Sequence, residues 1–289
     1  MASPTWASSH REPRSAVRPI PVVFHLGPLQ VHTYGIGLAI TFWVAYRYLA
    51  RRLRARGYPD AWLGGTFVWV IVASIVGARL VHVIANLGFY TVHPIEILAI
   101  WHGGLSSFGG LALGVPVGLL SAHRRCPQLR AWVAADLVAP VLAAAWALGR
   151  LLGPQLMVAG GGKPTHQWFG MYYAGEVGRR LPVPIFQALE CTGVYLVALA
   201  VDRAVRRRRG PVGLITSITV GLWGGSRFVD EHLWLAHGNG GDAVEVVGVL
   251  LFGIGMLATA ALLVRWRRHR PRPADPAPEP PARLPVAAP

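Results

Sequence analysis

Charge is what this 289-residue chain lacks most: only 14% of its residues are Asp, Glu, Lys or Arg, where soluble domains carry about a quarter. A mean hydropathy of +0.42 accompanies the deficit. Several windows of about 17 to 25 residues are almost free of charged side chains, the length needed to cross a hydrocarbon core of about 30 Å. These two facts exclude an ordinary soluble domain and point to lipid as a second solvent.

Cysteine is nearly absent as well. The two present, Cys126 in a basic stretch and Cys191 in an apolar one, exclude a disulfide framework and suggest no thiol nucleophile, so both read as small hydrophobes. There is no HExxH, no thiolate cluster and no Gly-rich phosphate loop after a strand, so neither a metal nor a nucleotide cofactor is expected. The first 20 residues lack the continuous apolar core of a cleavable signal peptide. Residues 269–289 are so rich in Pro and Ala that they read as a disordered tail.

Acidic residues are also few, 13 against 28 Lys and Arg, for a formal net charge of +15. Such a balance suggests nucleic acid until the placement of the charges is read. "RYLARRLRARG" (47–57), "HRRCPQLR" (123–130), "DRAVRRRRG" (202–210) and "RWRRHRPR" (265–272) each sit at the end of an apolar segment. That is the positive-inside pattern of a polytopic membrane protein in contact with anionic headgroups, and nucleic-acid binding is set aside.

Seven apolar segments read as spans: 31–50, 61–85, 104–122, 131–153, 184–201, 212–230 and 244–264. The expected fold is therefore all-α, a seven-helix membrane domain over 21–268 with a polar N-terminal extension at 1–20 and an outer loop at 154–183. Placing the basic runs in the cytoplasm puts the N-terminus outside and the C-terminus inside. The fifth span is the weakest, because Gln187 and Glu190 lie near its outer end, and the alternation beyond it depends on it. Gly110, Gly114 and Gly118 line one face of the third span, and Gly221 and Gly225 one face of the sixth, as helices that approach closely in lipid require. Pro116 and Pro140 mark possible kinks. Trp168, Tyr172 and Tyr173 in the outer loop read as headgroup-level anchors.

Charges at the edge of hydrocarbon are costly and ask for a partner or a purpose. Arg79, Arg150, Glu190 and the run Arg227, Asp230, Glu231 and His232 all fall near predicted outer ends of spans. One reading is a structural salt-bridge cluster; the other is a shallow layer that binds an anionic headgroup. Guanidinium suits phosphate, because its rigid fork of donors stays charged when partly desolvated. Glu231, four residues after Arg227, is placed to orient it. Tyr34, at the outer start of the first span, either donates to a headgroup or anchors the interface.

The order of these motifs resembles the bacterial prolipoprotein diacylglyceryl transferase family. The matching stretches are "GPLQVHTYGIG", "VGARLVHV", "WHGGLSSFGG", "DLVAPVLAAAWALGRLLG", "QALE" and "GLWGGSRFVDEHLW". The resemblance implies a seven-span enzyme of the bacterial inner membrane that moves the diacylglyceryl group of phosphatidylglycerol to the lipobox cysteine of a preprolipoprotein without any cofactor. By position, it implies Arg150 and Arg227 as catalytic residues. It further implies Tyr34, Arg79, Gln187, Glu190 and Glu231 as groups around the substrate cavity; His102, at a position where relatives often have Asp, is added as a candidate substrate-binding residue of this chain.

The chain departs from the family pattern at several points. "GRLLGPQLMVAGG" has no asparagine or glutamate after Arg150, "VPIFQALE" lacks the usual His-Pro, and Trp234 replaces a second arginine. Most important, "LSSFGG" places Phe108 where the family has a histidine. His102 is six residues earlier, about 9 Å of helical rise, and cannot stand in for it on a regular helix. Two alternatives stay open beside the transferase: a lipid-group transferase with another acceptor, and a non-catalytic paralogue that binds anionic lipid or a lipoprotein precursor. A transporter is disfavoured by the lack of an inverted repeat or paired broken helices.

Overall fold

The computed structural model describes residues 23–26, 29–99, 104–152, 161–173, 177–234 and 241–268. The extension 1–20 and the tail 269–289 lie outside the described residues. So do His102 and the first part of the outer loop.

A short antiparallel hairpin that the sequence reading did not anticipate comes first, with β1 (Val23–Leu26) paired to β2 (Leu29–His32) in the register Val23 to His32. Then follow α1 (Thr33–Arg54), α2 (Leu63–Ala85), the short α3 (Leu87–Val92), a 3-10 turn at Pro94–Ile97 and α4 (Ser107–Arg125). The chain continues through α5 (Ala131–Leu152), α6 (Val183–Arg208), α7 (Leu214–Val229), a π turn at Asp230–Trp234 and α8 (Gly241–Arg268).

Each of the seven predicted segments coincides with one long helix, including the doubtful fifth, which is the continuous α6. Among the described residues, α2, α5, α6 and α8 are long and apolar enough to cross a membrane. The helices α1 and α4 fall short on composition, since tyrosine, glycine and the terminal basic residues dilute their apolar runs, and α7 is only 16 residues long. Trp69, Val76 and Leu80 on α2 and Leu250, Ile254 and Leu257 on α8 lie on the outside. Exposed apolar helix faces of this kind suit hydrocarbon rather than water.

Neighbouring helices pack as α2 with α4, α7 with α8, α5 with α6, and α1 with α5. Two of these pairs are glycine seams. Gly77 on α2 and Gly109 on α4 meet backbone to backbone. On α7, Gly221 faces Gly255 and Gly224 faces Gly248. The predicted Gly110, Gly114 and Gly118 face α2 at Ser74 and Val70, and the predicted Gly221 and Gly225 face α8, while Gly109 and Gly224 add backbone approaches that the four-residue spacing did not single out. Leu53, Leu63, Leu129, Leu137 and Val141 close the core between α1 and α5, while Ala139, Ala198 and Ile215 join α5, α6 and α7. Pro116 and Pro140 sit inside continuous helices.

The end of the molecule carrying the first basic run is held by one carboxylate. Asp202 on α6 pairs with Arg52 at 3.3 Å, with Arg206 at 3.0 Å and with Arg56. Arg52 also donates to the Leu137 carbonyl at 3.0 Å, tying α1 to α5. Both cysteines are buried and free, as expected.

Candidate active site

Asp136 on α5 fixes the scaffold of the site. Its carboxylate accepts from the backbone N–H groups of Gly213 (2.7 Å) and Thr216 (2.9 Å) and from the Thr216 hydroxyl (2.7 Å). A buried anion therefore caps the N-terminus of α7, where backbone donors have no helical partner and the dipole favours negative charge. Arg150 lies fourteen residues beyond Asp136, and Arg227 fourteen beyond Gly213. Each interval is roughly 21 Å of helical rise, so two helices joined at one hydrogen-bonded point deliver their arginines at one level.

At that level is a cavity of about 300 Å³ lined by Ser106, Ser107, Phe108, Trp146, Arg150, Val183, Pro184, Gln187, Arg227, Glu231 and Val244. Five helices and the turn after α7 build it, α8 through Val244. Ser106, Ser107 and Phe108 come from the start of α4, Trp146 and Arg150 from the end of α5, Gln187 from the start of α6, and Arg227 from the end of α7. The π turn follows at once, a widened turn of the sort that often marks functional positions, and it supplies Glu231.

Arg227 is 4% exposed and pairs with Asp230 at 2.5 Å and with Glu190 at 3.8 Å. These acids balance a charge that burial would otherwise penalise heavily. Aromatic rings complete its surroundings. Its guanidinium lies 5.7 Å from the Trp146 ring and 5.9 Å from the Trp223 ring, and Arg150 lies 5.6 Å from Trp146. Trp146 and Trp223 meet edge to face at 5.0 Å, and Phe108 leans on Trp223 at 5.9 Å. Two delocalised cations at one polar opening in an apolar bundle, backed by aromatic faces, can grip an oxyanion such as phosphate.

The sequence pattern describing prolipoprotein diacylglyceryl transferases matches residues 21–265. The chain belongs to that family. Relatives named phosphatidylglycerol--prolipoprotein diacylglyceryl transferase include a Tolumonas auensis protein, 28% identical over 73% of this chain and 81% of its own length. A Limosilactobacillus reuteri protein is 30% identical over 67% of this chain and 74% of its own. One from Fervidobacterium nodosum is 31% identical over 81% of this chain and 82% of its own.

The residues expected from the family resemblance divide into three groups. Arg150, Gln187, Arg227 and Glu231 are brought together at the cavity, with Glu190 behind them on Arg227. Arg79 is not among the cavity-lining residues. It is 7% exposed and donates to the carbonyls of Ile97 (3.0 Å), Ala99 (3.3 Å), Gly104 (3.0 Å) and Glu96, shaping the segment that leads into α4. Gly104 has φ +74, and a side chain there would run into His82 and Arg79, which accounts for one glycine of the "WHGG" stretch. The third group is Tyr34 and His102, whose side chains lie outside the described residues.

Sequence reasoning gave Glu231 the task of orienting Arg227, whereas the ion pairs seen are with Asp230, three residues on, and Glu190. It also missed Trp146, Trp223 and Asp136. A signal for the tryptophans was present, since "WALGR" and "WGGSR" are both W-x-x-x-R, a spacing that puts ring and guanidinium one turn apart on one helix face. Beside the cavity, residues 161–173 and 177–181 of the outer loop form a ribbon stitched to the π turn. Gly162 donates to Leu181 at 2.9 Å and Lys163 to the Trp234 carbonyl at 2.8 Å. Tyr173 packs inward against Gly161, and burial pushes its phenol up to about 12. It is not the headgroup anchor expected; Trp168, 86% exposed, is free to serve that way.

Proposed function

We propose that this protein transfers the diacylglyceryl group of phosphatidylglycerol to the lipobox cysteine of a preprolipoprotein in the bacterial inner membrane. The observation that carries the reading is the meeting of Arg150 and Arg227, from separate helices, at one cavity. In the reaction, the cysteine sulfur forms a C–S bond to the terminal glyceryl carbon as that carbon's bond to the phosphate oxygen breaks. The electron pair stays on the departing oxygen, so the phosphodiester monoanion becomes a glycerol phosphate dianion, and the thiol proton is released. The two guanidiniums offset the charge that develops on that oxygen, an electrostatic contribution strongest in a site of low dielectric. The same cations favour thiolate over thiol in the incoming cysteine, whose ordinary pKa of about 8.5 leaves some thiolate at neutral pH.

The membrane arrangement proposed with it has α1, α4 and α7 crossing beside the four more apolar helices, the cavity toward the outer face and the C-terminus in the cytoplasm. The distribution of Lys and Arg supports this orientation.

Vesicles containing labelled phosphatidylglycerol and a lipobox peptide provide the test. The expected result is a mass gain of one diacylglyceryl group on the peptide cysteine, with glycerol phosphate released in equal amount. Binding of lipid and peptide with no product, under conditions where a relative turns over, would overturn the reading in favour of a non-catalytic binding protein. Phe108 gives that second reading its specific support, because an aromatic ring occupies the position of the family's histidine and packs on Trp223.

A further inference from the structure

We infer that Trp146 is a positioning residue that gathers the Arg150 and Arg227 guanidiniums onto one indole, so that they act as a single phosphate clamp. The inference rests on the transferase reading for the identity of the anion and extends it to a residue outside the family's signature.

Three observations carry it. First, Trp146 is within cation–π range of both cations, at 5.6 Å from Arg150 and 5.7 Å from Arg227. The ring thus bridges α5 and α7, whereas Trp223 lies within such range of Arg227, at 5.9 Å, on its own helix. Second, the indole Nε1 is buried without a hydrogen-bond partner among the described residues. Buried tryptophans usually satisfy that donor, so no hydrogen bond explains the choice of residue here, and the face of the ring does. Third, the two W-x-x-x-R units are in register: Trp146 is ten residues beyond Asp136 and Trp223 ten beyond Gly213, the pair joined by the 2.7 Å cap.

Asp230 and Glu190 anchor Arg227, but ion pairs at one arginine do not set its spacing from the other, and two like charges side by side repel. An indole face attracts both, because its quadrupole presents negative potential to a cation, and the effect grows when water is excluded. Holding the two guanidiniums in place before the phosphate arrives removes part of the ordering cost of binding it. Tryptophan is the strongest of the aromatic residues in this role, phenylalanine weaker, and leucine offers apolar bulk with no quadrupole.

The full-length protein in detergent, as wild type, Trp146→Phe and Trp146→Leu, is titrated with glycerol phosphate by calorimetry. Turnover of phosphatidylglycerol is measured in parallel. The expected result is an affinity ladder, with Trp146→Leu about tenfold weaker than wild type and Trp146→Phe between them. KM for phosphatidylglycerol should rise in the same order, and by a larger factor than kcat falls. A purely structural role would not follow ring electrostatics, so equal affinities in all three proteins, or equal losses in the two variants, overturn the inference. If the wild type transfers the lipid and the ladder is flat, the clamp fails alone. If it binds glycerol phosphate along the ladder but transfers nothing, the clamp stands and the transferase reading fails.

Discussion

Phe108 sets how much acid–base assistance the cavity can offer. Its ring adds to the wall formed with Trp223 and cannot take the thiol proton. Positioned acid–base groups contribute typically about 10²- to 10⁴-fold to proton-transfer steps, so in the proposed mechanism a phenylalanine here leaves the reaction to arginine electrostatics. Replacing it should reveal which site this is. Phe108→His is expected to raise the initial rate of thioether formation, by up to roughly 10²-fold, with little change in the affinity for glycerol phosphate. A site evolved for another acceptor would gain nothing from the histidine. Arg79 teaches the complementary lesson: an arginine at the edge of the lipid is as readily consumed by carbonyls of its own chain, here those of Glu96, Ile97, Ala99 and Gly104, as by a substrate.

Among the elements, α5 and α7 matter most, and Asp136 is what sets one against the other. Three hydrogen bonds from this carboxylate fasten the start of α7 to α5, and the equal intervals beyond them bring Trp146 level with Trp223 and Arg150 level with Arg227. Asp136→Ala would leave two helix-terminal N–H groups buried without an acceptor, a loss of about 2–3 kcal/mol. Thermal unfolding in detergent should show the lower midpoint, and transfer should fall with it, because the two arginines no longer share a level. Asp136→Asn keeps one acceptor oxygen and should fall between the wild type and the alanine variant in both measurements. The glycine seams act on other pairs. They let α2 approach α4 and α8 approach α7 at backbone distance, which sets where Phe108 and the π turn reach the cavity.

For the whole molecule, the charges separate into two ends with different work. At one, Asp202 gathers Arg52, Arg56 and Arg206 into a buried network that locks α1 to α6. At the other, Arg150 and Arg227 meet at an opening. A reporter fused after Pro289 tests which end faces the cytoplasm. The expected outcome is a fluorescent fusion and an inactive alkaline phosphatase fusion, as for a cytoplasmic C-terminus; the reverse pattern would invert the proposed orientation.

Long apolar windows bounded by basic runs determined the positions of seven helices, because the free energy of placing charge in hydrocarbon is written into composition and needs no tertiary contact to be read. Motif order likewise placed Arg150 and Arg227 in one site and exposed the substitution at Phe108. The hairpin at residues 23–32 was not legible, being too short for its alternation to stand out. Nor was the fate of Arg79 and Tyr173, or the choice of Asp230 and Glu190 as the partners of Arg227. Each depends on which backbone or side-chain atoms lie across a helix interface, and spacing along one helix says nothing about those. The tertiary structure alone decided that one indole would serve two arginines, since only the packing of α5 against α7 brings Arg227 over a ring that belongs to the other helix.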